Sequence, residues 1–139
     1  MAAIHPPKIT LHMVSSLDGF IARPDNSVAW MHTPPDAYPE GKSVSQEEII
    51  AFLRSIDCYV LGSRPYAPAL ALGWPYGDTP VIVLTSRKLP ASRPTVEFYS
   101  GDLRQLVDVR LAPRFRSIWL VGGALTAQRF LELGLVDEL

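Results

Sequence analysis

Apolar residues recur along this chain with two periods, one typical of strands and the other typical of helices. Lys8 to Val14 alternate apolar and polar side chains, as in a half-buried strand. Later apolar runs of strand length are Cys58–Leu61, Val81–Leu84, Thr95–Tyr99 and Ile118–Val121. Helical periods or turn residues separate these runs, so the pattern predicts a chain of alternating strands and helices.

Helical periods fill the longer intervals between the strands. Ser45 and Glu48 form a capping-box pattern, which predicts that a helix begins there and ends at Ile56. The predicted apolar stripes are Ile49, Phe52, Leu53 and Ile56 in this helix, Leu103, Leu106 and Val107 in a helix from Asp102 to Val109, and Leu125, Phe130 and Leu133 after Gly123. Ala67 to Asp78 is expected to form a short helix and then a loop. This alternation favours an α/β fold in which helices cover both faces of a mainly parallel sheet.

Two segments near the N-terminus fit neither period well. Phe20 to Ala22 is expected to be a short extended piece after the turn pair Asp18-Gly19. Val28 to Lys42 contains several prolines, which exclude a regular helix. Long loops in small domains are uncommon unless they serve a function, so we expect this loop to form a wall of a substrate pocket.

Size and charge narrow the class of protein. The 139 residues fit a single domain, 1–139, which can bury a core without disulfide bonds. The lone cysteine, Cys58, lies in an apolar run and is expected in that core. Lys and Arg number 13 against 14 Asp and Glu, which argues against non-specific nucleic-acid binding. No membrane span, signal peptide or metal site is predicted, and we expect a soluble, cytoplasmic protein.

Polar and glycine residues follow three of the predicted strands. These turns are Gly62-Ser63-Arg64, Thr85-Ser86-Arg87 and Gly122-Gly123. The carboxyl ends of parallel strands meet at one edge of a sheet, where hydroxyls and guanidinium groups together suit a phosphate. A diglycine that opens a helix also lets an anion approach backbone N–H groups, although the same pair is a good tight connection between elements. The sequence therefore predicts a ligand that carries phosphate.

These segments together resemble a known family. The likeness is carried by Ser16–Ala22 followed by Trp30, by Val60–Tyr66, by Val83–Arg87, and by Val121–Leu125 with the tail Gly134–Leu139. In this order the chain resembles the dihydrofolate-reductase-like superfamily, and in particular bacterial reductases related to the C-terminal domain of the riboflavin-biosynthesis protein RibD. The resemblance implies a three-layer α/β fold, a homodimer and NADPH as the cofactor.

The resemblance also implies roles for individual residues. Val14 and Ile21 would hold the nicotinamide carboxamide, and Trp30 would lie near that ring. The cofactor phosphates would contact Gly62, Ser63, Arg64 and Pro65. The adenosine 2′-phosphate would contact Thr85, Ser86 and Arg87. The pyrophosphate would contact Val121, Gly122, Gly123, Ala124, Leu125 and Thr126. A cis peptide bond between Gly122 and Gly123 is implied as well. The implied reaction is hydride transfer to a small heterocyclic substrate of the pteridine or pyrimidine kind.

The substrate side of the site is less defined. Asp36 is the candidate proton donor, and Asp18, Trp30 and Asp36 are the candidate substrate residues. Asp18 before Gly19 also fits a turn-forming role, and the proton could come from solvent.

Two departures from the family pattern leave other functions open. Pro65 stands where relatives usually carry threonine, and the family continues past Leu139, so C-terminal strands are expected to be missing here. A non-catalytic or degenerate nucleotide-binding module of the same fold is therefore the alternative. A protein that binds a phosphosugar or mononucleotide is a third possibility.

Overall fold

Five short strands form one sheet in which each strand runs parallel to its neighbours. The computed structural model describes residues 5–31, 44–90 and 93–139. Within them the strands are β1 (Lys8–Leu11), β2 (Cys58–Gly62), β3 (Val81–Leu84), β4 (Val96–Tyr99) and β5 (Ser117–Gly122). Their order across the sheet is β1-β5-β2-β3-β4. The predicted α/β class with a parallel sheet is confirmed.

Helices follow the strands as the alternation predicted. They are α1 (Gln46–Ser55), α2 (Ser63–Ala71), α3 (Leu103–Gln105) and α4 (Ala124–Glu132). The chain continues from α3 into a π-helix, Leu106–Leu111, and a 3-10 turn spans Ala29–Met31. None of the helices in the described part of the chain is long and apolar enough to cross a membrane.

The core consists of two apolar clusters, one on each face of the sheet. Side chains of a strand point alternately to the two faces, so Val60 enters one cluster and Leu61 the other. The first cluster holds Leu106, Leu111 and Phe130 from the π-helix and α4, and all three are fully buried. The second cluster is closed by α2 and the loop after it. Helices thus cover both faces, as expected.

The predicted stripe of α1 is only partly correct. Its capping box is confirmed, because Ser45 N–H donates to Glu48 Oε2 at 2.8 Å and Glu48 N–H donates to Ser45 Oγ at 3.2 Å. Ile56 is buried just after the helix, whereas Ile49 and Leu53 are 46% and 42% exposed. A helical period tells which residues share a face, but a neighbouring element must cover that face before it is buried.

Three other predictions for local structure need correction. The first strand ends at Leu11 rather than Val14, because its pairing with β5 stops at Leu11 and Leu120. Phe20 to Ala22 forms no strand. Leu125 is 65% exposed instead of lying in the apolar stripe of α4, where Ala127 and Phe130 are buried.

The helix after β2 begins earlier than predicted. It starts at Ser63, so Arg64 and Pro65 belong to its first turn rather than to a turn that precedes a helix. The N–H groups of a first helical turn have no partner within the helix. Pro65 is therefore accommodated there without the loss of a helical hydrogen bond.

We expect stability to fall between about pH 9 and pH 12 because Cys58 is fully buried in β2. Burial raises the pKa of its thiol from 9.0 to about 12. In this window the unfolded chain releases the thiol proton and the folded chain keeps it, which costs about 1.4 kcal/mol per pH unit. Denaturant unfolding across this range should give a shallower decline for Cys58→Ala than for the wild type. Burial also raises the pKa values of Tyr59 and Tyr76, but these groups titrate in both proteins. Equal slopes for the two proteins would contradict the expectation.

Candidate functional site

The strand ends singled out from the sequence lie around one cleft of about 450 Å³ at the carboxyl edge of the sheet. The predicted cofactor residues that line it are Ser63, Thr85, Ser86, Arg87, Leu125 and Thr126. They come from the starts of α2 and α4 and from the turn after β3. The sheet order explains this convergence, because β5, β2 and β3 are neighbours. Three turns that are far apart in the sequence therefore meet at one place.

A shift in strand register sets the position of the last β5 residue. Val60 pairs with Leu120, but Leu61 pairs with Gly122, so Val121 is an extra residue between them. Such a bulge moves the end of one strand relative to the next.

Gly62 at the end of β2 lies so close to the first turn of α4 that a side chain there would force a neighbouring group to move. A Cβ at this position would lie 2.6 Å from Thr126 Oγ1 and 3.7 Å from the carbonyl oxygen of Gly122. The first turns of α2 and α4 therefore lie side by side. Each first turn leaves N–H groups without helical partners, and each carries the positive end of a helix dipole.

The diglycine forms the entry to α4. Gly122 has a φ of +111°, a conformation that residues with a Cβ rarely adopt, and the peptide bond to Gly123 is cis, as the resemblance implied. Gly123 is the N-cap and makes no side-chain capping bond, and the N–H of Ala127 donates to its carbonyl at 2.9 Å. A Cβ at Gly123 would have no atom of the described residues within 4 Å. Open space therefore faces the backbone at the start of this helix.

The charged lining of the cleft is positive. Arg87 and Arg129 line it together with hydroxyl side chains, and none of the described residues that line it carries a carboxylate. The hydroxyl of Thr85 accepts a hydrogen bond from the Arg87 N–H at 3.0 Å, which fixes the backbone of this turn. Guanidinium and hydroxyl donors without a competing acid suit a phosphate group.

Sequence reasoning missed part of this cleft. Tyr99 lines it at the end of β4, Ser100 and Gly101 line it just after that strand, and Arg129 lines it from α4. The rule that parallel strands end at one edge also predicts the first three once the end of β4 is included. Arg129 follows Leu125 by one helical turn, so the helical period could have found it.

Other predicted cofactor residues do not line the cleft. Arg64 is exposed and lies outside its lining, as does Pro65. Val121, Gly122, Gly123 and Ala124 lead to Leu125 and Thr126 and are not themselves lining residues.

A second cavity, of about 390 Å³, lies in the loop that follows β1. Its lining includes Asp18 and Trp30, the candidate substrate residues within the described chain, together with Phe20 and Arg23. The loop leaves the sheet at the carboxyl end of β1, next to β5. The methyl carbon of Met13 at the start of this loop would lie 3.7 Å from a Cβ on Gly122.

The carboxylate of Asp18 takes part in a local turn. It accepts a hydrogen bond from the Ser16 hydroxyl, and the Phe20 N–H donates to the same hydroxyl oxygen at 3.1 Å. This arrangement fits the turn-forming alternative. Val14 and Ile21 line neither cavity, and Val14 is 53% exposed. Asp36 lies outside the described residues, as does most of the predicted loop wall.

Comparison with known proteins identifies relatives of the fold. No family model matches the chain. The chain is 26% identical over 133 residues to the uncharacterized protein YwjB of Bacillus subtilis, a match that covers 94% of this chain and 72% of that protein. A solved crystal structure from Shewanella sp. PV-4, named "Putative riboflavin biosynthesis protein", superposes with a TM-score of 0.72 at 24% identity. That match covers 96% of this chain and 73% of the other. It confirms the expected α/β fold, which this chain shares with that structure.

Proposed function

We propose that this protein is an NADPH-dependent reductase that transfers a hydride to a small heterocyclic substrate. The observation that carries the proposal is that the chain holds two cavities of different character, one at the carboxyl edge of the sheet and one in the loop that leaves β1 at that edge. One is a cationic, hydroxyl-lined cleft and the other holds Trp30 and Phe20. A dinucleotide has the same division, with charged phosphates along its middle and adenosine end and a planar ring at the reacting end. Ligands of parallel sheets bind at this edge.

The residues present fit the phosphates of such a cofactor. The space in front of Gly123 admits a group that a Cβ would displace, and the N–H groups at the start of α4 are suited to bind an anion there. Ser63 in the first turn of α2 and Thr126 in the first turn of α4 add hydroxyl donors. We assign the pyrophosphate to these groups. The adenosine 2′-phosphate is assigned to Thr85, Ser86 and Arg87.

The loop cavity would take the reacting end. When bound, NADPH supplies the hydride, and the protein supplies binding and orientation. Trp30, which is half-buried, and Phe20 offer apolar surfaces that would exclude water from a planar ring. The Ser16–Asp18 hydrogen bond holds the carboxylate of Asp18 in place at this cavity. Asp36 remains our proposed proton donor.

The comparisons support a substrate class only through a name. The Shewanella protein is called a riboflavin biosynthesis protein. An NADPH-dependent step on a pyrimidine-like compound would suit that name, and a pteridine-like compound has the same planar, hydrogen-bonding character. We therefore propose a substrate of one of these two kinds. The homodimer and the cytoplasmic location stay predictions, and light scattering would test the dimer.

A non-catalytic nucleotide-binding module is the second candidate. It is favoured by the engagement of Asp18 with Ser16, since no other carboxylate of the described residues lines either cavity. The two candidates differ in one measurement. A reductase oxidises NADPH when a pyrimidine- or pteridine-type acceptor is added, which absorbance of the reduced nicotinamide reports, whereas a module binds the cofactor and leaves it unchanged.

Replacing Arg87 by alanine is expected to weaken NADPH binding by roughly ten- to a hundredfold. A charge-assisted hydrogen bond to a phosphate contributes about 1.5–3 kcal/mol, and NADH lacks the 2′-phosphate that Arg87 would bind. NADH binding should therefore change little. Calorimetric titration of both cofactors checks this. Equal losses for NADPH and NADH would refute the assignment, and a wild-type protein that binds neither cofactor would refute the proposed function.

A further inference from the structure

We infer that Arg129 acts with Arg87 as a pair that binds one phosphate monoester, and that Arg129 is a specificity-determining residue of the cleft. The inference deepens the proposed function and rests on it for the identity of the natural ligand. It extends the cofactor site to a residue on α4 that the family resemblance did not assign.

The two arginines reach the same cleft from different elements. Arg87 lies in the turn after β3, whose backbone is held by the 3.0 Å hydrogen bond to Thr85 Oγ1. Arg129 lies in the middle of α4, one turn after Leu125, which is also a lining residue. Phe130, the next residue of this helix, is fully buried in the core and holds the helix against the sheet. Both guanidinium groups are thus carried by backbone that the fold fixes.

Neither arginine has an ion pair among the described residues. The acid nearest to Arg129 along α4 is Glu132, and its carboxylate accepts a hydrogen bond from the Gln128 amide at 2.8 Å. By contrast, Arg114 is paired with Glu97 through two hydrogen bonds of 2.9 and 3.0 Å. The positive charge of the cleft is therefore available to a ligand.

The chemistry of the lining indicates what kind of anion would balance it. A phosphate monoester carries about −1.5 to −2 charges at pH 7 and has a second pKa of about 6. Each phosphate of a pyrophosphate diester carries a single charge. Two guanidinium forks beside Ser86 and Ser100 match the donor requirement of the monoester. The 2′-phosphate of NADPH is such a monoester, and NADH has none.

Binding of a phosphate monoester should also make the preference for NADPH over NADH depend on pH. The charged lining is Arg87 after β3 and Arg129 on α4. Tyr99 on β4 is the other titratable lining residue, and its hydroxyl donates to the Asp102 carbonyl at 2.7 Å. The first turn of α2 contributes Ser63, and α3 contributes Leu103. Below about pH 6 the monoester gains a proton, so the preference for NADPH over NADH should decrease.

The test compares Arg129→Ala with Arg116→Ala, which removes the same charge at the opposite edge of the sheet. Arg116 is exposed and precedes the amino end of β5. Adenosine 2′-monophosphate, NADPH and NADH are titrated calorimetrically into the wild type and both variants. We expect Arg129→Ala to weaken the first two ligands roughly tenfold or more and to change NADH by less than about twofold. Arg116→Ala should match the wild type. The decrease in preference below pH 6 should be smaller in Arg129→Ala.

The outcomes separate this inference from the proposed function. Unchanged affinities in Arg129→Ala, or equal losses for NADPH and NADH, would overturn the inference while the reductase proposal stands. If the wild type binds adenosine 2′-monophosphate in an Arg129-dependent way but does not bind NADPH, the inference stands and the cofactor proposal falls. Absence of binding of all three ligands overturns both. Melting curves of the variants that match the wild type would show that the losses are not due to unfolding.

Discussion

Replacing Gly123 by alanine is expected to leave the protein folded and to weaken NADPH binding by roughly a hundredfold or more. The added methyl group would meet no atom of the described residues within 4 Å, and the φ of −67° is one that alanine adopts readily. The same methyl group would occupy the space in which we place the pyrophosphate. Displacing the anion from the first N–H groups of α4 would forfeit charge-assisted hydrogen bonds of about 1.5–3 kcal/mol each.

Gly62→Ala is the matched comparison, because the same atom is added one strand away. Its Cβ would lie 2.6 Å from Thr126 Oγ1, so the clash is within the protein. We expect this variant to lose stability as well as binding, whereas Gly123→Ala should lose binding alone. Thermal unfolding and calorimetric titration of both variants measure the difference. Normal NADPH binding by Gly123→Ala would mean that the diglycine is only a connection between β5 and α4, and the reductase proposal would lose a main support.

Phe130→Ala is expected to lower the free energy of unfolding by about 3–5 kcal/mol. Phe130 is fully buried and joins α4 to the cluster that holds Leu106, Leu111 and Leu120. Truncation to alanine removes most of a buried aromatic ring and leaves a cavity, because the surrounding strands and π-helix can relax only partly. Small domains are stable by only about 5–15 kcal/mol, so this loss is a large share of the total.

Urea unfolding followed by circular dichroism measures this effect, with Leu131→Ala as the control. Leu131 is the next residue on α4 and is 51% exposed, so its truncation should cost much less. Similar losses for both variants would show that α4 is not held through Phe130. Since α4 carries Leu125, Thr126 and Arg129 to the cleft, a loosened helix should also weaken ligand binding under conditions where the variant remains folded.

The sequence by itself determined the order of the five strands and of the helical segments that alternate with them in the described residues. Local pattern suffices for this because an apolar run such as Val81–Leu84 and a capping box such as Ser45–Glu48 act within a few residues. The prediction that Leu103, Leu106 and Val107 turn inward is confirmed. The parallel alternation also implied that the turns at Ser63, Ser86 and Gly122-Gly123 lie at one edge, and Ser63 and Ser86 line the same cleft.

Tertiary structure decided which of these residues share a surface and how closely. Ile49 has the helical period of a core residue but is exposed, and Leu125 lines the cleft instead of lying in its predicted apolar stripe. Both differences arise because burial depends on which element lies opposite. Local patterns specify neither the register shift between β2 and β5 nor the close approach of Gly62 to Thr126. Arg129 joined the cleft through the packing of α4 on the sheet. The neighbouring sequence gives a residue its local conformation. The distances between residues far apart in the sequence are set only when the strands pair and the helices pack.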